Sequence, residues 1–473
     1  MPDPSRTGTG EEEGPVDLVE PRRVHVVGIG GVGMSAIATV LAQMGHRVTG
    51  SDIRTSLATE RLGGLGVAIH VGHHPDQVGG AEVVTASTAV PPTNVELVEA
   101  ARRGVPVLRR AQILAAICAI RPTIAVAGTH GKTTTASMLA LILAEAGLRP
   151  SFVIGGEVDE TGAGGSWDAG GQWLVVEADE SDGTFLELPA RSAVVTSVEA
   201  DHLDQYGSVA GLEDAFARFL GRVPATPVVC ADDPGARRAA AACAVPAVTY
   251  GLSAGATYRM ADVVTGRSSA AFDVVHDGTS LGRVSLAVPG LHNARNATAA
   301  LALGMAAGAG FEEARRALRR YRGVARRFEL RGELDGVTYV DDYGHLPGEV
   351  KDVLGAARAG GWGRIVAVFQ PHRYSRTAAL WADFADAFAD ADVVVVTDVY
   401  PAGEAPRPGV TGRLVADAVA GAHPGSDVRY HGGRRELVDA LRALLRPGDL
   451  CLTLGAGDLT VVPGELLGQA GRR

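Results

Sequence analysis

Lysine is nearly absent from this 473-residue chain, which contains only Lys132 and Lys351. The formal net charge is −10 at pH 7, which disfavours a nucleic-acid scaffold because such a binding face must concentrate positive charge. No uncharged apolar run reaches about 18 residues, so no transmembrane helix is predicted. We therefore expect no nucleic-acid and no membrane partner, and small anionic ligands bound by local arginines.

Cysteine is also scarce. Cys118, Cys230, Cys243 and Cys451 lie far apart or in apolar surroundings, with neither metal-site spacing nor a disulfide framework, which favours a reduced, cytoplasmic protein. The polar, acidic start lacks the regions of a signal peptide, and we predict that residues 1–21 form a disordered tail. With 46% hydrophobic and 21% charged residues the composition is globular. The length suggests about three domains.

The predicted first domain covers residues 22–120. "VHVVGIGGVGMSAIATVLAQMGHRVTGSD" reads as strand, glycine turn, helix and strand. Gly28, Gly30 and Gly33 match GxGxxG, and Asp52 follows 19 residues after Gly33, which is typical of a dinucleotide or nucleotide-sugar Rossmann unit. The alternative is a strand-to-helix turn that binds no ligand. A later strand runs into Ser87 and Thr88.

The predicted second domain, residues 121–330, begins with "TIAVAGTHGKTTTASMLALIL", again a strand, a glycine turn and a helix. Backbone amides and Lys132 can surround the β- and γ-phosphates of a nucleotide, and the Thr133 hydroxyl can ligate Mg²⁺. The loop is shorter than the usual P-loop, because Val126 stands where the first glycine is expected. The alternative is that the glycine turn resembles a P-loop by chance. This is disfavoured because one of only two lysines in the chain falls in this turn.

Two further strands of this domain run into acidic segments. One ends at Glu177, Asp179 and Glu180, and the other at Glu199, Asp201, His202 and Asp204. Acids at the carboxyl ends of parallel strands beside a P-loop are expected to ligate Mg²⁺, although a solvated acidic loop is the alternative for each acid alone. His202 could be structural, but a metal or phosphate role is favoured here.

The end of the second domain offers polar groups at a helix start. His292, Asn293 and Asn296 could contact an adenine or cap the helix. "EEARRALRRYRGVARRFEL" is predicted to be helical and to close the domain near residue 330.

The predicted third domain, residues 331–473, alternates five strands with helices such as "WADFADAFADA" and "RRELVDALRALL". The predicted fold class is therefore α/β with three domains: N-terminal Rossmann-like, central P-loop ATPase-like and C-terminal doubly wound Rossmann-like. Ligands of such sheets bind outside the carboxyl ends of the strands. Those ends carry Asp341, Asp342, Tyr343, His345, His372, Arg373, Arg376 and Tyr400, unless these are merely surface residues.

Two nucleotide sites in one chain need a reaction that uses both. A dehydrogenase leaves the P-loop unexplained, and a simple ATPase or kinase leaves the first domain unexplained. A ligase explains both, because one substrate can carry a nucleotide handle while ATP activates its carboxylate.

The ordered motifs then resemble those of the Mur ligase family from about residue 23 to about residue 460. They are "HVVGIGGVGMSAIA", "GTHGKTTT", "VEADESDGTF", "EADHLDQYG", "GLHNARNA", "GVARRFE", "DDYGH", "FQPHRYSRT", "YPAGE" and "GAGD". The resemblance implies ATP- and Mg²⁺-dependent addition of L-alanine to the lactyl carboxylate of UDP-N-acetylmuramate through an acyl phosphate, in cytoplasmic peptidoglycan synthesis. It implies a monomer or a homodimer.

The resemblance also implies site residues, motif by motif. The UDP-sugar would contact Gly28, Gly30, Gly31, Gly33, Asp52, Ser87 and Thr88. ATP would contact Gly128, Thr129, His130, Gly131, Lys132, Thr133, Thr134, Asn296 and Arg327. The metal ligands would be Thr133, Glu177 and His202. Alanine and the reacting carboxylate would be oriented by Tyr343, His345, His372, Arg373 and Arg376. The catalytic residues would be Lys132, His202, His345 and Arg373.

The chain departs from the family pattern in two places. Relatives usually read "DDYGHHPTE", whereas Leu346 and Gly348 occur here, which affects the expected selectivity for alanine over glycine or serine. Several relatives carry a carbamylated lysine about fifteen residues beyond His202, where this chain has Ala217. The alternatives are a sister ligase that adds a preformed peptide, a nicotinamide-dependent oxidoreductase, and a non-catalytic nucleotide-sugar sensor.

Overall fold

The computed structural model describes residues 16–158, 163–243 and 245–468. It contains three sheets in chain order, each combined with helices, so the predicted α/β fold with three domains is confirmed. Residues 1–15 of the expected tail lie outside the described residues, and Leu18 is buried against the core of the first domain. Within the described ranges, no helix has the length and apolar character needed to cross a membrane.

The first domain is a parallel five-stranded sheet. Its strands are β1 (Arg23–Val27), β2 (Arg47–Asp52), β3 (Ala68–Val71), β4 (Val83–Ala86) and β5 (Val107–Arg109), and its helices are α1 (Val32–Gln43), α2 (Leu57–Gly64), α3 (Val95–Arg102) and α4 (Arg110–Cys118). The spatial order is β3-β2-β1-β4-β5. The order reverses at β1, so the glycine turn between β1 and α1 lies where such sheets bind ligands.

The second domain has a ten-stranded mixed sheet. Its strands are β6 (Thr123–Ala127), β7 (Ser151–Val158), β8 (Ala163–Ser166), β9 (Leu174–Glu177), β10 (Ser192–Val195), β11 (Val228–Cys230), β12 (Val248–Gly251), β13 (Tyr258–Thr265), β14 (Ala270–His276) and β15 (Thr279–Leu286). Its helices are α5 (Lys132–Glu145), α6 (Leu203–Tyr206), α7 (Val209–Leu220), α8 (Pro234–Cys243), α9 (Leu291–Ala306) and α10 (Phe311–Arg320).

The strand order of the second sheet places the P-loop between the two acidic segments. The order is β15-β14-β13-β12-β11-β10-β6-β9-β7-β8, with β6 paired in parallel to both β10 and β9. The loops that follow β6, β9 and β10 therefore leave the same edge of the sheet side by side, as the sequence predicts.

The third domain is a six-stranded sheet in the order β16-β17-β21-β18-β19-β20, parallel except for the β16–β17 pair. Its strands are β16 (Glu329–Leu334), β17 (Val337–Asp342), β18 (Arg364–Phe369), β19 (Val393–Val396), β20 (Asp427–Tyr430) and β21 (Asp449–Leu454), and its helices are α11 (Pro347–Ala359), α12 (Tyr374–Leu380), α13 (Arg413–Ala422), α14 (Arg434–Leu444) and α15 (Val462–Leu466). The five predicted strands are confirmed as β17 to β21.

Two helix predictions are wrong. The helix predicted up to residue 330 ends at Arg320; Gly323 adopts φ +113°, which a helix cannot accommodate, and β16 begins at Glu329. The segment "WADFADAFADA" forms only a short 3₁₀ helix, Trp381–Phe384, followed by turns. Phe384 and Phe388 pack against the Phe369 ring there, so tertiary packing overrides the helical pattern.

Candidate active site

The P-loop is held closed by neighbouring loops of the second domain. The Thr129 and His130 N–H groups donate to the Ser197 carbonyl (2.9 Å) and hydroxyl (3.0 Å). Gly131 adopts φ +75°, and a Cβ built there would collide with the Asn296 side chain. The position therefore requires glycine, and it places Asn296 of α9 against the phosphate-binding turn.

Lys132 lies at the start of α5 and faces the acids that follow β9. Its Nζ donates to the Glu180 carboxylate at 2.8 and 3.0 Å and to the Gly128 carbonyl at 2.7 Å. Burial opposes the charge, but Glu180, Asp179 and Glu177 outweigh it and raise the pKa of the Lys132 ammonium. The side chain is therefore a fixed cation beside the loop.

Thr133 and Glu177, two of the three predicted metal ligands, are in contact. The Thr133 hydroxyl donates to the Glu177 carboxylate at 3.0 and 3.1 Å, and the Gly155 amide donates to the same carboxylate at 2.7 Å. Oxygen donors of this kind are the ligands that Mg²⁺ prefers, together with phosphate oxygens and water. The pair fits a magnesium ion that also binds a nucleotide.

His202, the third predicted metal ligand, is held by its neighbour. Its Nε2 lies 3.0 Å from Asp201 Oδ2, and its backbone is left-handed with φ +50°. In the part of the chain that the structure describes, no group of three or more His, Cys, Asp or Glu side chains could hold a metal. The metal-binding role of His202 stays a prediction.

His130 links the P-loop to the third domain. Its Nε2 lies 3.2 Å from Glu199 of the second domain, and its Nδ1 lies 3.3 Å from Glu349 at the start of α11. Burial would lower the pKa of this imidazole, but the two carboxylates raise it to about 10. His130 is thus an imidazolium at neutral pH, and its charge joins two domains at the phosphate loop.

A cavity of ≈290 Å³ lies beside the P-loop. It is lined by Gly131, Thr134, His292, Asn293, Asn296, Arg327, Asp342 and Glu349, among others. Residues from the second and third domains thus surround the space next to the predicted ATP contacts. Burial raises the pKa of Asp342 there to about 6, although Arg327 opposes the shift.

A histidine cluster lies at the carboxyl edge of the third sheet. The His345 ring is 5.4 Å from Tyr343 and 5.5 Å from His372, centroid to centroid. Arg376 lies 3.1 Å from His372 Nδ1 and forms an ion pair with Asp201 of the second domain at 3.0 Å. Four of the five predicted alanine-site residues are therefore together, and they face the second domain.

The electrostatics of this cluster keep both histidines neutral. Burial lowers the pKa of His345 to about 4, despite the nearby Glu349 carboxylate. Burial, with His345 and Arg376, lowers the pKa of His372 to about 3. Neutral imidazoles can accept hydrogen bonds from an ammonium group and do not repel it.

Arg373, the fifth residue of the predicted alanine site, turns toward another partner. It precedes α12 with φ +68°, and its Nε donates to Glu404 at 2.8 Å. Burial would raise the pKa of Glu404, but Ser375 and Arg373 hold it at about 2. The structure thus anchors Arg373 at the same sheet edge through Glu404.

The glycine turn of the first domain carries the predicted UDP-sugar contacts. The Gly30 amide donates to Asp52 Oδ2 at 2.9 Å, so the acid at the end of β2 holds the turn. Ser87, after β4, lies against Gly28: a Cβ built on Gly28 would lie 3.1 Å from the Cβ of Ser87. Thr88 is exposed at the same edge. The turn, Asp52 and Ser87 are therefore adjacent.

A cleft of ≈820 Å³ joins this turn to the P-loop. Its lining includes Gly30, Gly33, Arg110, Thr133, Glu177, Asp179, Arg327 and Tyr343. Residues of all three domains therefore face one space. Part of each predicted set opens onto it: Gly30 and Gly33 of the UDP-sugar residues, Thr133 and Glu177 of the metal ligands, and Tyr343 of the alanine and carboxylate residues.

Family profiles match almost the whole chain in order. "Mur ligase family, catalytic domain" matches residues 23–121, "Mur ligase middle domain" matches residues 126–304, and "Mur ligase, glutamate ligase domain" matches residues 326–457. This chain belongs to the Mur ligase family.

Individual relatives agree with that assignment. The UDP-N-acetylmuramate–L-alanine ligase of Pelotomaculum thermopropionicum is 47% identical over 449 residues, which cover 94% of this chain and 97% of the relative. The crystal structure of the UDP-N-acetylmuramate-alanine ligase of Thermotoga maritima is similar with a TM-score of 0.79 and 29% identity, over 95% of this chain and 99% of that one. A murein peptide ligase of Psychrobacter arcticus has a TM-score of 0.69 over 96% and 99% of the two chains, but at 22% identity it shows the fold alone.

Sequence reasoning missed two residues of this Mur ligase site. Arg110, at the start of α4, lines the cleft and pairs with Asp179 at 3.1 Å across the domain boundary. Glu349 reaches His130 from the third domain. Arg110 could have been found, because it follows the carboxyl end of β5. Glu349 could not, since its role depends on how the third domain packs.

Residues 346 and 348, where the chain departs from the family pattern, lie beside the contacts of His130 with Glu199 and Glu349. Leu346 is buried in the core of the third domain, and the Glu349 carboxylate accepts the His345 and Leu346 amides (2.9 and 3.2 Å). A Cβ at Gly348 would collide with the Glu199 carboxylate. Because Gly348 has no side chain, the Glu199 carboxylate can occupy the position in which it contacts His130.

Proposed function

We propose that this Mur ligase joins L-alanine to the lactyl carboxylate of UDP-N-acetylmuramate with hydrolysis of ATP to ADP and phosphate, in cytoplasmic peptidoglycan precursor synthesis. The observation that carries the proposal is the single cleft lined by all three domains, in a chain that is 47% identical to an L-alanine ligase over 94% of its length. The four free thiols support a reducing compartment.

In this proposal the first domain holds the nucleotide sugar. The turn from Gly28 to Gly33 offers backbone amides at the start of α1, where an anion is favoured by the helix dipole. Asp52, Ser87 and Thr88 lie at the same sheet edge and supply polar contacts. The sugar would then extend along the cleft toward Thr133.

ATP is assigned to the P-loop and the adjoining ≈290 Å³ cavity. Lys132 would exchange its contact with Glu180 for phosphate oxygens, while Asn296 and Arg327 lie where the rest of the nucleotide is expected. Thr133 and Glu177 would hold Mg²⁺, which would supply charge neutralisation on the phosphates.

The chemistry follows from the poor reactivity of a carboxylate. A lactyl oxygen attacks the γ-phosphorus, the bond from that phosphorus to the β–γ bridging oxygen breaks, and ADP leaves. The neutral amine of alanine then attacks the acyl carbon, and phosphate departs with the former lactyl oxygen. Lys132 and arginines of the cleft stabilise the charge on the transferring phosphoryl group. His345, whose Nδ1 donates to the Tyr343 carbonyl, can accept a hydrogen bond from the incoming amino group at Nε2. His372 accepts from Arg376 at Nδ1, so its Nε2 can only donate.

A panel of amines tests this function against the sister activity. Phosphate release is measured with UDP-N-acetylmuramate, ATP, Mg²⁺ and, in turn, L-alanine, glycine, L-serine and the preformed peptide. We expect L-alanine to give the highest kcat/KM. Selectivity over glycine should be about 10- to 200-fold, since one methyl group is worth about 1–3 kcal/mol in a pocket. Phosphate release that requires the peptide would contradict the proposal, as would a nicotinamide-dependent reaction without ATP.

A further inference from the structure

Arg110 belongs to the first domain but is held by acids of the second. Its Nη2 lies 3.1 Å from Asp179 Oδ2, and its Nε donates to Asp182 Oδ2 at 3.3 Å. Both acids follow β9, the strand that also carries Glu177. The side chain is only 21% exposed, so its charge is held in place inside the cleft.

The same guanidinium faces the glycine turn of the first domain. A Cβ built on Gly33 would lie 3.1 Å from Arg110 Nη1, and Gly30 and Gly33 line the cleft together with Arg110. Gly33 is the second residue of α1, so the guanidinium and the amides at the start of this helix face the same space. Positive charge thus approaches the predicted anion site from two sides.

A neighbouring arginine shows what a purely structural bridge looks like. Arg109 also links the first two domains, through a bidentate pair with Glu187 at 2.8 and 3.0 Å. Its side chain is 61% exposed, and it does not line the cleft. Arg110 differs because its side chain is much less exposed, faces the glycine turn and has two carboxylate partners that an anionic ligand could replace.

Resting on the proposed function, we propose that Arg110 binds the diphosphate of the nucleotide sugar, which displaces Asp179 and Asp182 from the guanidinium. The fork of a guanidinium matches two phosphate oxygens, as it matches a carboxylate. A substrate that lacks the diphosphate would leave Arg110 paired with the second-domain acids. Binding of the nucleotide sugar to the first domain would therefore release Asp179 and Asp182, which belong to the same segment as Glu177 and Glu180, from Arg110.

Calorimetric titration of the full chain with UDP tests this assignment, because UDP carries the diphosphate but no lactyl group. Arg110→Ala should raise the Kd for UDP and for UDP-N-acetylmuramate by the same factor, on the order of 10- to 100-fold. Arg109→Ala, which removes the same charge from the adjacent position, should change either Kd by less than about twofold. Equal effects of the two variants would overturn the proposal. If Arg110→Ala weakened the binding of UDP-N-acetylmuramate but not of UDP, the proposal would also be overturned, because Arg110 would then contact the lactyl carboxylate rather than the diphosphate.

A second variant keeps the test valid if Arg110→Ala folds poorly. Asp182→Asn preserves the shape of the side chain and the acceptor that caps the Thr184 amide but removes one competitor for Arg110. We expect tighter UDP binding, and unchanged or weaker binding would contradict the displacement. If the unchanged protein binds neither UDP nor UDP-N-acetylmuramate, the proposed function itself fails; if it binds both and only the Arg110 effect is absent, this inference alone fails.

Discussion

Lys132 is a largely enclosed cation that is paired in the structure with the Glu180 carboxylate. Its Nζ lies within 3.0 Å of both Glu180 oxygens, and the proposed reaction replaces them with phosphate oxygens. We predict that Lys132→Ala lowers kcat for ligation by at least about 10²-fold, the usual loss when one charge-stabilising donor is removed. UDP binding should survive, because the nucleotide sugar is assigned to the first domain. Phosphate release and UDP titration measure the two effects.

The control for that variant is Lys351→Ala, which removes the only other lysine. Lys351 is exposed on α11, so its loss should leave kcat within about twofold of the parent value. Loss of UDP binding in a folded Lys132→Ala protein would contradict the division of the two nucleotides between two domains.

The charge of His130 makes a pH-dependent contribution to stability. The folded-state pKa of about 10 lies above the unfolded value of about 6.5. The contribution is therefore complete below about pH 6.5 and is lost as the pH rises toward 10. We predict that Tm falls more steeply between pH 6.5 and 10 in the parent than in His130→Gln. Parallel Tm curves would show that the two carboxylates do not hold a proton on His130.

The sequence predicts contacts between residues that follow neighbouring strands of the same sheet. Thr133 and Glu177 meet because β6 and β9 are neighbours, and the rule about carboxyl ends of strands is sufficient to expect it. The Glu349–His130 contact depends on the packing of two domains, which no local pattern encodes. The stretch "VPVLRRAQIL" has the apolar pattern of one strand, which hides the start of α4 at Arg110.

Among the helices of the third domain, α11 contacts the P-loop, because Glu349 in its first turn lies 3.3 Å from His130. Gly348 in its first turn faces Glu199, whereas at Gly355 an added Cβ would find only Asp390 Oδ2 at 3.6 Å. We predict that Gly355→Ala stabilises the protein by about 0.5–1 kcal/mol through helix propensity. Gly348→Ala should be less stable than Gly355→Ala by about 1–2 kcal/mol, because it displaces Glu199 from His130.

Denaturant unfolding of the two variants measures this difference, and a double-mutant cycle identifies its cause. In a Glu199→Ala background the two glycine substitutions should have equal effects, since no carboxylate remains to be displaced. A difference that persists in that background would place the cause elsewhere in α11.

The elements themselves were predictable where the hydrophobic pattern is strong. The strands β18, β19 and β21 are nearly continuous apolar runs, and the buried residues of α14 follow the helical period. The pattern fails at residues 321–328, where arginine and alanine favour a helix but Gly323 turns the chain. The antiparallel extension β13–β15 is not predicted above, although burial alternates along the first part of β13 and along β14, as is usual where one face of a sheet is exposed.

The second domain offers no lysine that could be carbamylated to bind the proposed Mg²⁺. Ala217, at the position of the carbamylated lysine of several relatives, is buried in α7 with 7% exposure. Lys132 is the only lysine between residues 121 and 330, and it is paired with Glu180. We predict equal activity in CO₂-depleted buffer and in buffer with bicarbonate. A several-fold activation by bicarbonate at fixed pH and ionic strength would be inconsistent with this.

The central claim is that the three domains meet so that ATP phosphorylates the carboxylate of a nucleotide sugar bound in the same cleft. Transfer of oxygen tests it most directly. UDP-N-acetylmuramate labelled with ¹⁸O in the lactyl carboxylate is turned over with ATP, Mg²⁺ and L-alanine, and the phosphate is examined by mass spectrometry. The account predicts one ¹⁸O atom in each phosphate released, together with the alanyl product. Unlabelled phosphate accompanying the same product would contradict it.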